Sequence, residues 1–154
     1  MSGSRGTSAS VALNTDPDSK IIKTADGSFA QCFNAQAVVD ADHQVIIATE
    51  LNNCAADSQS FEPMMAQARR NTGRAPTQAL ADAGYCSQAN LEAAAKLTKQ
   101  DGREFLIAPG RLGHDEIIEP APRGQIPKDL TLKQLMARKL RTKKGRPATR
   151  GARR

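Results

Sequence analysis

An α/β fold on a mixed sheet is predicted by three features of the 154-residue sequence. Residues 35–39 and 45–51 are two strand-like runs, the second the most β-branched in the chain, and the few polar residues between them make the pair an antiparallel hairpin. Residues 79–81 and 104–108 are later apolar runs separated by a helical stretch, so they read as strands joined by a crossover, which makes them parallel. Turn signals at Asp16-Pro17-Asp18-Ser19, Asp26-Gly27 and Asp42-His43 divide the first third of the chain into short extended segments.

Residues 1–13 are rich in Ser, Gly, Thr and Ala and read as a flexible leader that stiffens into a first strand at Val11-Ala12-Leu13. Pro17 lacks a donor and pushes Asp16 out of the helical region, so the chain turns directly after that strand. Asp57-Ser58-Gln59-Ser60 reads as the cap of a helix that runs through Met64, Met65 and Ala68 to about Arg70, with Pro63 in the tolerated first turn; Gly73 and Pro76 end it. The strand at 79–81 leads into Asp82-Ala83-Gly84-Tyr85, and Ser87 caps a second helix over 88–98. Residues 111–128, dense in Pro and Gly, are expected to be an irregular linker, 130–140 an amphipathic basic helix, and the remainder to 154 a disordered basic tail.

Four Phe, one Tyr and no Trp leave the core to Ala, Val, Ile, Leu and Met, which predicts marginal stability. The three cysteines are widely spaced and fit neither a disulfide framework nor a zinc site, and no apolar run of about 18 residues or secretory signal is visible, so a cytoplasmic protein without membrane contact is expected. The formal charge of +6 is unevenly placed. Residues 1–122 carry ten Lys and Arg against fifteen acids, whereas 123–154 carry twelve against Asp129 alone. A basic tail of this kind suits a polyanion, because each phosphate it neutralises releases counterions; a solvated basic end is the plainer alternative.

Phosphoryl transfer by two divalent ions uses carboxylates at strand ends to hold the ions about 3.5–4 Å apart. Asp16 and Asp82 are the candidates, each at a predicted strand end in a turn with Pro or Gly. From the residues alone, turn closing is the favoured reading of both acids. His43 and His114 lack partners in the sequence that would give either a role.

Taken together, Thr15-Asp16-Pro17-Asp18-Ser19, Lys23-Thr24, Phe33-Asn34-Ala35-Gln36-Ala37-Val38-Val39-Asp40, Asp57 and Leu80-Ala81-Asp82-Ala83-Gly84-Tyr85-Cys86-Ser87 resemble the catalytic core of bacterial insertion-sequence transposases of the DDE class, in the IS-four-like superfamily. The resemblance covers about residues 14–110 and continues loosely from Met136 to Arg146. It implies a ribonuclease-H-like fold, in which the first and fourth strands are neighbours; the order of elements read above is that of this fold. It also implies two Mg²⁺ ions, Asp82 in the place of the second catalytic acid and Asp16 in that of the first, with Asp18 a competing choice. Nicking of element ends and joining of the freed 3′-hydroxyl to target DNA is the implied activity. Arg138, Lys139, Arg141, Lys143, Lys144 and Arg146 are the implied DNA contacts, and full-length transposase an implied partner in a homo-oligomer.

Cys32-Phe33 replaces the usual Gly-Tyr of the family, and Cys86 a common Phe. More consequentially, the sequence reaches Arg154 before the helix that carries the family's third catalytic acid, and no acid among Glu92, Asp101, Glu104, Asp115, Glu116, Glu119 and Asp129 has that acid's surroundings. The expectation is a partial catalytic domain, inactive alone in strand transfer. The alternative is a nucleic-acid-binding or transposition-regulating remnant that acts through its basic tail.

Overall fold

The computed structural model describes residues 16–24, 26–110, 119–143 and 145, with the side chain of Asp101 excluded. Six strands and three helices are present among them: β1 (Lys20–Lys23), β2 (Phe29–Cys32), β3 (Asn34–Val39), β4 (Ile46–Asn52), α1 (Phe61–Thr72), β5 (Gln78–Ala81), α2 (Gln88–Asp101), β6 (Glu104–Ile107) and α3 (Leu132–Leu140). The molecule is α/β, as predicted.

The predicted hairpin is β3–β4, antiparallel from Asn34 opposite Asn52 to Val39 opposite Ile46, with an irregularity between Val38 and Val39. The predicted crossover is β5–α2–β6, whose strands pair in parallel, Gln78 with Glu104 through Ala81 with Ile107. A further antiparallel hairpin, β1–β2, was not legible: β1 has four residues, Lys at both ends, and only Ile22 half-buried. Its turn, however, is the Asp26-Gly27 signal, with Gly27 at φ 88°. Pairing among the described residues stays within these three two-stranded sheets, so the expected three-strand meander leading into one mixed sheet is not what they display. The predicted first strand at residues 11–13, the 111–118 part of the predicted linker and the end of the tail lie outside the described residues.

Packing rather than pairing links the sheets. Phe61, Met64, Met65 and Ala68 fall on one face of α1 at helical spacing. Met64 and Ala68 close on Ala48, Val38 and Ile47 of the β3–β4 hairpin, where two alanines let helix and sheet approach. Phe61 and Met65 turn to a second cluster with Leu91, Ala94, Phe105 and Ile107. Phe105, Leu106 and Ile107 are all buried, as befits a short parallel strand covered on both faces. Phe61 meets Phe105 edge-on with ring centroids 5.9 Å apart, and Tyr85 at 6.4 Å.

α1 begins at the end of the predicted capping stretch. Asp57–Ser60 is a 3₁₀ turn, and Ser60 caps α1 without a side-chain hydrogen bond, so Asp57 is not a helix cap. α2 starts as predicted, with the Ser87 side chain accepting from the Asn90 amide. α3 starts with a capping box between Thr131 and Gln134. Its Leu132 and Met136 pack on the second cluster, so the basic helix is part of the core assembly. No helix among the described residues is long and apolar enough to cross a membrane.

Candidate active site

Asp82 follows β5 directly. It sits in an extended conformation, and its Oδ1 accepts the Gly84 amide at 2.8 Å, so the carboxylate closes the 3₁₀ turn Ala83–Tyr85. The residue is exposed. Its strand-end position is the predicted one, and the turn-closing role that the residues alone allowed is present as well.

The carboxylate beside it is that of Asp57. A Cβ on Gly84 would overlap Asp57 Oδ2 and lie 3.1 Å from Asp82 Oδ1, so Asp57 packs against Gly84 where a side chain would stand, with Asp82 beside it. Asp57 is half-buried, and its Oδ1 accepts Asn34 Nδ2 and Gln36 Nε2, each at 2.8 Å. Gln36 is buried, at 7% exposure, with every polar atom engaged: Nε2 also donates to Asn34 Oδ1 at 2.9 Å, and Oε1 accepts the Tyr85 hydroxyl. A polar relay thus runs from the Asp82–Tyr85 turn through β3 to Asp57. In the sequence, Asn34, Gln36 and Tyr85 stand out only as parts of the family resemblance, and Asp57 as part of it and of the capping stretch Asp57–Ser60. Their signal was alternation: Asn34 and Gln36 are two apart on one strand and therefore share a face.

Burial pushes the Tyr85 phenol up from its ordinary value of 10.0, and the negative charges of Asp57, Asp82 and Glu50 add to the rise. Tyr85 is the single tyrosine, so an alkaline absorbance titration reads it alone and should give a midpoint above about 10. Because the folded-state value is the raised one, the unfolded chain loses this proton first. The stability that Tyr85 contributes is therefore complete below pH of about 10 and falls as pH rises toward the folded-state midpoint.

Gly84→Ala is expected to destabilise by about 1–3 kcal/mol, the usual range for overpacking. Asp57, a short side chain held by two amides, cannot swing aside freely. Thermal melts of a double-mutant cycle with Asp57→Ala check this: the cost of the added methyl should shrink once Asp57 is truncated, and an unchanged cost would place the clash elsewhere.

Asp16 lies in a separate turn. Its Oδ1 accepts the Asp18 amide at 3.0 Å, and its carbonyl accepts Ser19 Oγ and Gln31 Nε2. Asn53 Nδ2 donates to the Asp18 carbonyl at 3.0 Å, which fastens this turn to the end of β4, just before the Cys54–Asp57 stretch. The contacts of Asp16 are thus with its own hairpin, and those of Asp82 with Gly84 and its neighbours. Among the described residues, no group of three or more His, Cys, Asp or Glu side chains is placed to hold a metal.

The candidate DNA-binding cations divide. Lys139 Nζ donates to the Phe105 carbonyl at 3.1 Å and stands 3.7 Å from Glu104, which ties α3 to β6. Arg138 Nη2 donates to the Pro122 carbonyl at 2.7 Å, and Arg141 Nε is buried without a hydrogen-bond partner among the described residues. Lys143 is exposed, as are Arg123, Lys128 and Lys133; Lys144 and Arg146 lie outside the described residues. His43, in the β3–β4 turn, stands 2.5 Å from Asp40 and, by hydrogen bonding, holds that carboxyl below the usual range; His114 is outside the described residues. The groove between β3 and β5 has a volume of about 700 Å³ and is lined by apolar residues such as Val38, Ile47, Met64 and Leu80 and by polar ones such as His43, Thr72, Arg74 and Gln78.

A family model described as a transposase DDE domain matches residues 6–150. No curated protein and no solved structure matches the chain.

Proposed function

The chain belongs to the transposase DDE domain family, whose chemistry is metal-dependent cleavage and transposition of DNA, and on that footing we propose that it acts on insertion-element ends of the IS-four-like kind with Asp82 as a metal-binding acid. The observation that carries this reading is the Asp82 turn: an acid at the end of a parallel strand, oriented by the Gly84 amide, with a second carboxylate against the same glycine. This donor set, two carboxylates at one glycine, is of the kind that a hard divalent ion prefers. Two such ions, Mg²⁺ by family resemblance, supply activation of the attacking oxygen and stabilisation of the leaving one.

The protein's own part is orientation. Gly84 N–H holds Asp82 Oδ1, and the buried Gln36 keeps the Tyr85 side of this turn in place through the phenol. Asp16, or Asp18 beside it, is proposed as a further acid on the strength of the sequence resemblance, with the turn's attachment to Asn53 in support. Two acids further along the chain have partners of their own: Glu92 accepts Gln88 Nε2 on α2, and Glu104 accepts Gln78 Nε2 and faces Lys139. Weak nicking without efficient strand joining is the proposed behaviour of this chain.

The experiment is nicking of supercoiled DNA with Mg²⁺ or Mn²⁺, beside a chelated control. Slow nicking that the chelator stops supports the reading; salt-sensitive binding without nicking would replace it with the alternative of a DNA-binding remnant or regulator. For the binding itself, the exposed cations give the clean variant, because deleting residues 123–154 would also remove the core packing of Leu132 and Met136. Replacing Arg123, Lys128, Lys133 and Lys143 with Gln should weaken affinity for all DNA sequences alike. The slope of log affinity against log salt should fall by about one for each phosphate that the variant no longer neutralises, and an unchanged slope would put the DNA on another face.

A further inference from the structure

We propose that Arg69, Arg74 and Arg103 form a cleft for the phosphate backbone of DNA, at the end of the β5–β6 pair away from Asp82. This rests on the reading of the chain as an enzyme that acts on DNA, and it adds a contact surface separate from Arg123, Lys128, Lys133 and Lys143.

The ends of α1 and α2 meet at a cleft of about 420 Å³, lined by the three arginines with Gly73, Thr77 and Gly102 among others. Gly73 at φ 69° and Gly102 at φ 67° lead the chain out of each helix, and a Cβ on either would meet nothing within 4 Å. The backbone that carries the arginines is tied in place. The Thr72 hydroxyl reaches the Arg74 carbonyl at 2.8 Å, and the Glu104 amide donates to the Thr77 carbonyl at 2.9 Å, which sets Arg103 beside the segment that Arg74 leads into. Among the described residues no acid lines the cleft, and neither Arg69 nor Arg74 forms an ion pair. Glu104, next to Arg103, faces Gln78 and Lys139.

A cation in the last turn of a helix offsets the helix dipole, which accounts for Arg69; Arg74 and Arg103 stand past the helix ends, where that effect has fallen off. Three guanidinium groups on one concave surface, each with planar N–H donors that match phosphate oxygens, suit a polyanion. β5 leads from Gln78, next to the cleft, to Ala81, next to Asp82, a distance of about 13 Å at the usual strand rise. Phosphates of one DNA strand follow each other every 3.4 Å or so along the duplex, so backbone in the cleft is about four nucleotides or more from a phosphate at Asp82. The cleft therefore holds DNA that flanks the reacting phosphate.

The test is fluorescence anisotropy of the intact chain with a labelled duplex over a range of salt concentrations. Arg69→Gln with Arg74→Gln should weaken binding by more than about tenfold and lower the slope of log affinity against log salt by about two, one for each phosphate no longer neutralised. Arg69→Lys with Arg74→Lys keeps the charge and should keep the slope. Lys20→Gln with Lys96→Gln removes the same charge from β1 and α2, outside the cleft, and should weaken binding by less than about threefold. All four side chains are exposed, so each variant keeps its fold, which circular dichroism checks. Equal losses from the two Gln pairs, or an unchanged slope in Arg69→Gln with Arg74→Gln, would overturn the cleft and leave the action of the chain on DNA standing. Failure of the parent chain to bind the duplex at all would overturn both.

Discussion

Asp82→Asn is expected to abolish metal-dependent nicking of DNA while leaving the fold and the affinity for DNA in place. Metal ions stabilise phosphoryl-transfer transition states by several kcal/mol, so removal of a ligand that holds them should lower the rate by about three orders of magnitude. The substitution is structurally mild. An asparagine oxygen can still accept the Gly84 amide that Asp82 Oδ1 now accepts, so the turn persists, and the side chain is exposed. In the proposed reading DNA is held by exposed cations such as Lys133 and Lys143, which lie on other elements. Nicking rates and a binding isotherm, measured on the same preparations, separate the two effects. A rate within a few-fold of the parent would remove Asp82 from the chemistry.

Phe105→Ala is expected to cost about 3–5 kcal/mol, the usual range for truncating a buried aromatic. Phe105 is 2% exposed at the centre of β6 and touches Phe61 edge-on. Its aromatic neighbour Phe61 is itself packed against Tyr85 and the rest of the cluster, so refilling the space would open another. For a chain of this length the loss corresponds to a fall in Tm of roughly ten degrees, readable by calorimetry or circular dichroism. The same truncation at the exposed Phe29, 71% exposed, should shift Tm very little. Equal shifts at the two positions would mean that the β5–β6 core does not dominate stability.

How much of this was legible follows from which signals are local. The β3–β4 hairpin, the α2 start at Ser87 and the parallel β5–β6 pair are visible because β-branching, capping residues and the helical spacing between strands act within a few residues. The β1–β2 hairpin escaped because four residues flanked by lysines carry almost no hydrophobic alternation. Asp82 was found at its strand end. The stretch Asp57–Ser60 reads as a cap, and Ser60 is the residue that caps α1; the use of Asp57 depends on the distant Asn34 and Gln36, 23 and 21 residues away in sequence. Lys139 shows the same limit. It sits in a basic run that reads as a phosphate contact, yet its ammonium reaches a backbone carbonyl of a strand 34 residues earlier.

The central claim, that a divalent ion sits at Asp82, is tested most directly by letting Fe²⁺ replace Mg²⁺ in the presence of ascorbate and peroxide and mapping the backbone cuts that the resulting radicals make. Cuts clustered near Asp82–Tyr85 and near Asp57, suppressed by excess Mg²⁺ and absent in Asp82→Asn, are the predicted result. Cuts confined to other segments, or a pattern unchanged by Asp82→Asn, would contradict it.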